Sequence, residues 1–232
     1  MRKHSKKYVE VAKNIDSNKL YSKEEATKLV KSTTCTKFDS TVEIAIKLNI
    51  DTKKSDQQIK GSLVMPHGTG KSKTVLVIAK GELAEAAKKA GADYVGDKDM
   101  IDKIKSENWF DFDVIVATPD MMPEVGKIGN ILGPKGLMPN PKIGTVTTKV
   151  SEVVKDLKSG MVTYKTDTFG NVHTILGKVS FDENKLLYNL VYVINTINKA
   201  KPQSIKGVFI DSIVLSTTMG PGIKVDKNSF DI

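Results

Sequence analysis

Three hydroxyls stand in a row at Ser216, Thr217 and Thr218, and Met219, Gly220, Pro221 and Gly222 follow them. A hydroxyl both donates and accepts, which suits the ribose 2′-OH of RNA, and glycine lets another backbone come close. The plainer reading is a threonine-rich strand end with a glycine turn. Lys37-Phe38-Asp39-Ser40-Thr41 sets a lysine and hydroxyls beside an aromatic, a combination that can attract a phosphate and stack on a base. Its plainer reading is a strand entry with Phe38 in the core. Asn171–Lys178 carries His173, Thr174 and Lys178 on a predicted strand, where ordinary surface polarity is the plainer reading.

Other chemistries lack their residues. Gly68-Thr69-Gly70-Lys71-Ser72 resembles the end of a phosphate-binding loop, but the first glycine of that motif would fall at Met65. Such a loop also opens a helix, whereas residues 74–79 read as a strand. A flexible hinge at Gly68 and Gly70 is the better reading. No dinucleotide fingerprint follows a strand. His4, His67, His173 and the lone Cys35 have no metal-ligand spacing. Neither a nucleophile elbow nor a distinctive acid pair is present. The expectation is no catalytic residue, no metal and no cofactor; the rival is an enzyme that binds a phosphorylated molecule or nucleotide.

A formal charge of +9 and a pI near 9.3 over 232 residues favour a polyanionic partner. Arg2 is the only arginine, so the other cations are lysines. Lysine is a point charge and cannot make the planar bidentate contacts of arginine. Specificity toward nucleic acid would then come from hydroxyls, backbone groups and shape. One cysteine excludes an internal disulfide and fits a reducing cytoplasm. The basic start, MRKHSKKYVEVAK, has no apolar run behind it and is not expected to be a signal peptide. The apolar runs are too short to span a membrane.

The elements that must position these residues change character along the chain. Residues 22–32 read as a helix, with Ser22 and Glu25 spaced as a capping box. Residues 41–50 alternate as a long strand with one wet face, and 59–65 as another. Continuous apolar strands at 74–79 and 112–117, a short strand at 93–95, and helices at 82–90, 97–108, 120–132 and 149–157 predict βαβ units and a parallel sheet. Alternation returns with strands at 161–165 and 171–179. A helix follows from Asp182 to before Pro202, striped by Leu186, Leu187, Leu190, Ile194 and Ile197, and then a strand at 208–216.

The two ends match in style and the middle differs. The sequence therefore predicts an α/β protein of two domains. Residues 1–67 and 159–232 form a discontinuous α+β domain with a mostly antiparallel sheet. Residues 68–158 form an inserted Rossmann-like α/β domain with a parallel sheet, and Gly68, Gly70 and Gly160 mark the hinge. Residues 68–158 hold 14 lysines and 13 acidic residues; the remainder holds 22 cations and 14 acidic residues. The basic excess is thus +1 against +8, and a polyanion is expected on the outer domain.

Residues 126–145, GKIGNILGPKGLMPNPKIGT, hold five glycines and three prolines and are expected to be mostly irregular but ordered. ILGPKGLMPNPKIGTVT, the hinge PHGTGK, GADYVG before WFDFDVIVATPDMM, and the terminal TTMGP together closely resemble the bacterial large-subunit ribosomal protein L-one family, over nearly the whole chain. The resemblance implies the two-domain arrangement read above. It implies a structural, non-catalytic protein of the cytoplasmic ribosome, monomeric when free, that binds large-subunit rRNA to form the mobile side stalk. It further implies assistance to release of deacylated tRNA, and repression of its own operon mRNA when in excess. The family's RNA contacts map here onto Lys37, Phe38, Thr41, His173, Lys178, Thr217, Thr218, Met219 and Gly220. On this reading the 126–145 segment lies in the nearly neutral domain and is not the principal rRNA grip.

Overall fold

The computed structural model describes residues 5–54 and 56–230; Arg2 and His4 lie outside them. The chain runs α1 (Lys6–Ala12), α2 (Lys23–Ser32), β1 (Thr41–Leu48), β2 (Lys60–Val64), β3 (Val75–Ile78), α3 (Glu82–Lys89), β4 (Tyr94–Gly96), α4 (Lys98–Glu107) and β5 (Val114–Ala117). It continues with α5 (Met122–Lys127), α6 (Gly129–Leu132), α7 (Val150–Ser159), β6 (Met161–Lys165), β7 (Asn171–Lys178), α8 (Glu183–Lys199), β8 (Ile210–Thr217) and β9 (Ile223–Val225). Its contacts fall into two compact units. The first is the chain up to Gly70 together with the chain from Val162 on; the second is Lys71–Met161. The second unit contains the same 14 lysines and 13 acidic residues counted above.

The first unit is built on a four-stranded antiparallel sheet in the order β7-β1-β8-β9. Along β1 the alternation sends Val42, Ile44, Ile46 and Leu48 into the core. Helices α2 and α8 pack against this sheet. In α8 the buried stripe is Leu186, Leu190, Val193, Ile194 and Ile197. Each such buried aliphatic contributes roughly 1.5–3 kcal/mol relative to exposure, so packing outweighs intrinsic propensity in holding α8. The expected capping box closes α2: the Glu25 amide donates to Ser22 Oγ at 3.2 Å, and the Ser22 amide donates to the Glu25 carboxylate at 3.4 Å. Strands β2 and β6 form a separate two-stranded sheet.

The second unit has a three-stranded parallel sheet in the order β4-β3-β5. All of β3 is buried, as a strand covered on both faces must be. The chain is thus α/β, with both antiparallel and parallel sheets. Residues 120–132 do not form the single helix expected. A 3-10 turn at Pro119–Met121 leads into α5, and Ile128 breaks α5 from α6. Gly126 and Gly129 flank that break, and each lowers the propensity of a helix interior.

The glycine- and proline-rich segment 126–145 is ordered by its own contacts. Leu137 and Met138 pack on the core of the second unit. Lys135 Nζ lies 3.9 Å from the centroid of the Phe110 ring. The Asn140 amide donates to Thr145 Oγ1 at 2.8 Å, and Val146 bridges to Ala117 at the end of β5. Outside α5, α6 and the 3-10 turn Pro141–Ile143, it is irregular, as expected.

Candidate nucleic-acid interface

Three stretches distant in sequence meet at one end of the antiparallel sheet. The register sets Thr41 opposite Lys178 and Val42 opposite Thr217. This edge therefore brings together residues 36–41, 178–180 and 217–220, and with them eight of the nine expected RNA contacts. The ninth, His173, sits opposite Ala45 on the same sheet. That is four residues along β1, roughly 13 Å from Thr41.

The loop before β1 is shaped by hydroxyls. Thr36 and Ser40 share a short side-chain hydrogen bond, and Thr36 Oγ1 donates to the Phe38 carbonyl at 3.1 Å. Ser40 is buried and its carbonyl accepts from the Val179 amide at 3.0 Å. The outcome for Phe38 is the opposite of core packing: it is 59% exposed. Lys37 beside it is exposed. A bare phenyl ring on a hydrogen-bonded loop loses little conformational freedom when a base stacks on it.

Lys178 is tethered across this edge. Its Nζ donates to Thr41 Oγ1 at 3.1 Å and to the Asp39 carbonyl at 3.3 Å. Asp39 in turn accepts from the Ser180 amide at 3.1 Å and the Ser180 hydroxyl at 2.9 Å. The positive charge of Lys178 is thus held in place rather than waving in solvent. A fixed charge gives up less entropy on meeting a phosphate.

The strand end of β8 completes the rim. The Gly220 amide donates to the Thr217 carbonyl at 2.8 Å, closing a tight turn. Met219 lies within that turn, in the left-handed region at φ 67° and 76% exposed. A methionine there costs on the order of 1 kcal/mol or more, and such strain is typical of functional sites. No side chain fits at Gly220, where a Cβ would lie 2.1 Å from Thr217 Oγ1 and 3.1 Å from the Thr33 carbonyl.

The three hydroxyls of 216–218 do not act alike. Thr217 is 2% exposed, and its hydroxyl donates to the Thr33 carbonyl at 3.4 Å. It builds the turn rather than presenting a hydroxyl to solvent. Thr218 Oγ1 is half-buried and bonds both backbone groups of Thr41. Ser216 lies on the open sheet face. Alternation already implied this, since Ile213, Leu215 and Thr217 share the core-facing side of β8.

The open face of the sheet continues away from this rim. It presents Glu43, Ala45 and Lys47 of β1, His173 and Ile175 of β7, and Ser212, Val214 and Ser216 of β8. A shallow depression lies between Glu43, His173, Ile175 and Ser216. His173 Nε2 is 3.7 Å from Asp167. Asp167 organises the β6–β7 turn by accepting from the Asn171 amide at 2.7 Å, the Asn171 side chain at 2.9 Å and the Phe169 amide at 2.9 Å. Those bonds, led by the Asn171 amide, lower its pKa to about 2. Nothing in the sequence marks the roles of Asp39, Thr33 and Asp167, whose partners lie far along the chain or in a turn. The wet face of β1 is the expected one, and the same period-2 pattern in β7 and β8 extends it into a row.

The expected hinge glycines are Gly68, Gly70 and Gly160, at φ 68°, 72° and 105°. Asn189, fully buried in α8, holds the backbone at the first of them. Its Oδ1 accepts from the His67 amide at 3.3 Å, and its Nδ2 donates to the Gly68 carbonyl at 3.2 Å and the Leu176 carbonyl at 2.7 Å. The glycine-lysine stretch 68–72 runs on into strand β3, not into a helix, which is the wrong geometry for a phosphate-binding loop. Among the described residues no group of three or more His, Cys, Asp or Glu side chains could hold a metal ion. No described helix is long and apolar enough to cross a membrane.

Taken together, the rim offers an exposed aromatic, a fixed ammonium, a strained exposed methionine and tightly turned backbone. That set can stack, neutralise a phosphate and follow a backbone closely. The sequence model of the ribosomal protein L1p/L10e family matches residues 29–221.

Proposed function

With the chain a member of the ribosomal protein L1p/L10e family, and so an rRNA-binding structural protein of the large ribosomal subunit, we propose that it grips rRNA at the rim formed by Lys37, Phe38, Thr41, Lys178 and Thr217–Gly220. The observation that carries this is the meeting of those stretches at one sheet end, with Phe38 and Met219 both left in solvent. The family is one of structural proteins, not enzymes. It places the protein in the large subunit of cytoplasmic ribosomes.

The RNA so bound forms the mobile side stalk. Through that stalk the protein assists release of deacylated tRNA. In excess, and as a monomer, it binds a similar fold in its own operon mRNA and represses translation. Lysines supply the attraction, and the hydroxyl-bonded loop and tight turn supply the fit. Two domains, 1–67 with 159–232 and the inserted 68–158, divide the work. The first holds RNA, in keeping with its +8 charge, and Gly68, Gly70 and Gly160 are the hinge between them.

Phe38→Ala and Met219→Asp test this placement against Lys135→Ala in rRNA binding assays. Both rim changes are expected to weaken binding by roughly tenfold or more. Lys135→Ala is expected to leave binding unchanged and to cost about 0.5–1 kcal/mol of stability through its lost contact with Phe110. Equal losses from all three would show that the site is in the wrong unit.

A further inference from the structure

Gly70 packs against the stem of Lys178. It is the last residue of the first unit before the chain enters the second. Its φ is 72°, and a Cβ built there would lie 2.7 Å from Lys178 Cγ and 3.1 and 3.2 Å from the Phe181 ring. Phe181 is itself a partly buried residue packed against the core of the first unit, and its backbone carbonyl accepts from Lys31 Nζ at 2.7 Å. A side chain at position 70 would come closest to Lys178, so its pressure would fall first on the Lys178 stem.

Lys178 is the residue that ties the rim together through Thr41 Oγ1 and the Asp39 carbonyl. We infer that Gly70 is a positioning residue for RNA binding: by leaving no atom beyond its backbone, it lets the Lys178 stem lie flat and so sets where the ammonium stands. The chain's exit from the first unit is thereby joined mechanically to the rim. Because linkage is reciprocal, RNA that holds Lys178 in place also holds Gly70 in its left-handed conformation. This inference rests on the rim being the RNA site.

The test is a double-mutant cycle on the full chain with rRNA affinity as the readout. Gly70→Ala is expected to weaken binding roughly tenfold, the scale of one charged hydrogen bond. Lys178→Met keeps the stem and removes the ammonium, and adding Gly70→Ala to it is expected to cause no further loss. Gly207→Ala is the control: its φ is 87° and nothing lies within 4 Å of its Cβ position, so it strains the backbone without touching a neighbour. It is expected to leave RNA affinity unchanged. Additive losses, or unchanged binding by Gly70→Ala while Phe38→Ala abolishes it, would overturn the inference and leave the rim standing. No effect from Phe38→Ala would remove the rim itself, and this inference with it. Should Gly70→Ala fold poorly, the wild-type amide resonance of Gly70 provides the same decision. It is expected to move on titration with rRNA and to stay fixed in Lys178→Met; an unmoved wild-type resonance contradicts the coupling.

Discussion

Thr218 and Thr41 hold each other's backbone across the β1–β8 pair. The Thr41 amide donates to Thr218 Oγ1 at 3.2 Å, and the Thr218 hydroxyl lies 3.3 Å from the Thr41 carbonyl. The Thr218 amide also donates to that carbonyl, at 3.0 Å. The strand end is thus held in one geometry by the protein's own bonds. Thr218→Val keeps the shape and removes the hydroxyl. It is expected to cost about 1–2 kcal/mol of stability and to weaken rRNA binding, which denaturant melts and equilibrium binding check together.

Met219 is strained and exposed, so its side chain and its backbone make opposite demands. Met219→Gly relieves the left-handed strain but adds freedom to the unfolded chain. Those effects are each on the order of 1 kcal/mol and opposed. Stability is expected to stay within about 1 kcal/mol while rRNA affinity falls. Unchanged affinity would mean that the thioether side chain is not used.

Acid should loosen the β6–β7 turn. The folded Asp167 has a pKa lowered to about 2 from an ordinary 3.8. Its stabilising contribution is therefore fully present above the ordinary value and is lost as pH falls from there toward 2. Asp167→Asn removes that dependence. Melting midpoints of the two proteins should differ near neutral pH and converge between about pH 4 and pH 2. A constant difference across that window would show that the carboxylate's charge is not what holds the turn.

Much of this fold was legible because the informative residues interact locally. Ser22 with Glu25, and the apolar alternation of β1, need only short-range rules. The short strand β9 was missed because three residues between Gly222 and Asp226 carry too little pattern, and pairing with β8 makes them a strand. Helix α1 was missed for a similar reason: KKYVEVA is only seven residues long and buries none of them fully, and Ser5 caps it. The site was legible as residue types and less so as roles. Alternation along β8 turns Thr217 into the core, but that Thr218 ties two strands depends on Thr41, far away in the sequence. Core packing was the plainer reading of Phe38 because its loop is set by Thr36 and Ser40 and by the Val179 amide far along the chain. Asn189 was hidden inside an apolar stripe, where its partners come from other elements.

The central claim is specific recognition of large-subunit rRNA by the rim of the first unit. Competition at fixed salt between the stalk segment of that rRNA and a random RNA of equal length tests it most directly. The stalk segment is expected to win by roughly a hundredfold or more, and Met219→Asp is expected to collapse that ratio toward one. Equal competition by the two RNAs with the wild-type protein would contradict the account and leave only charge-driven binding.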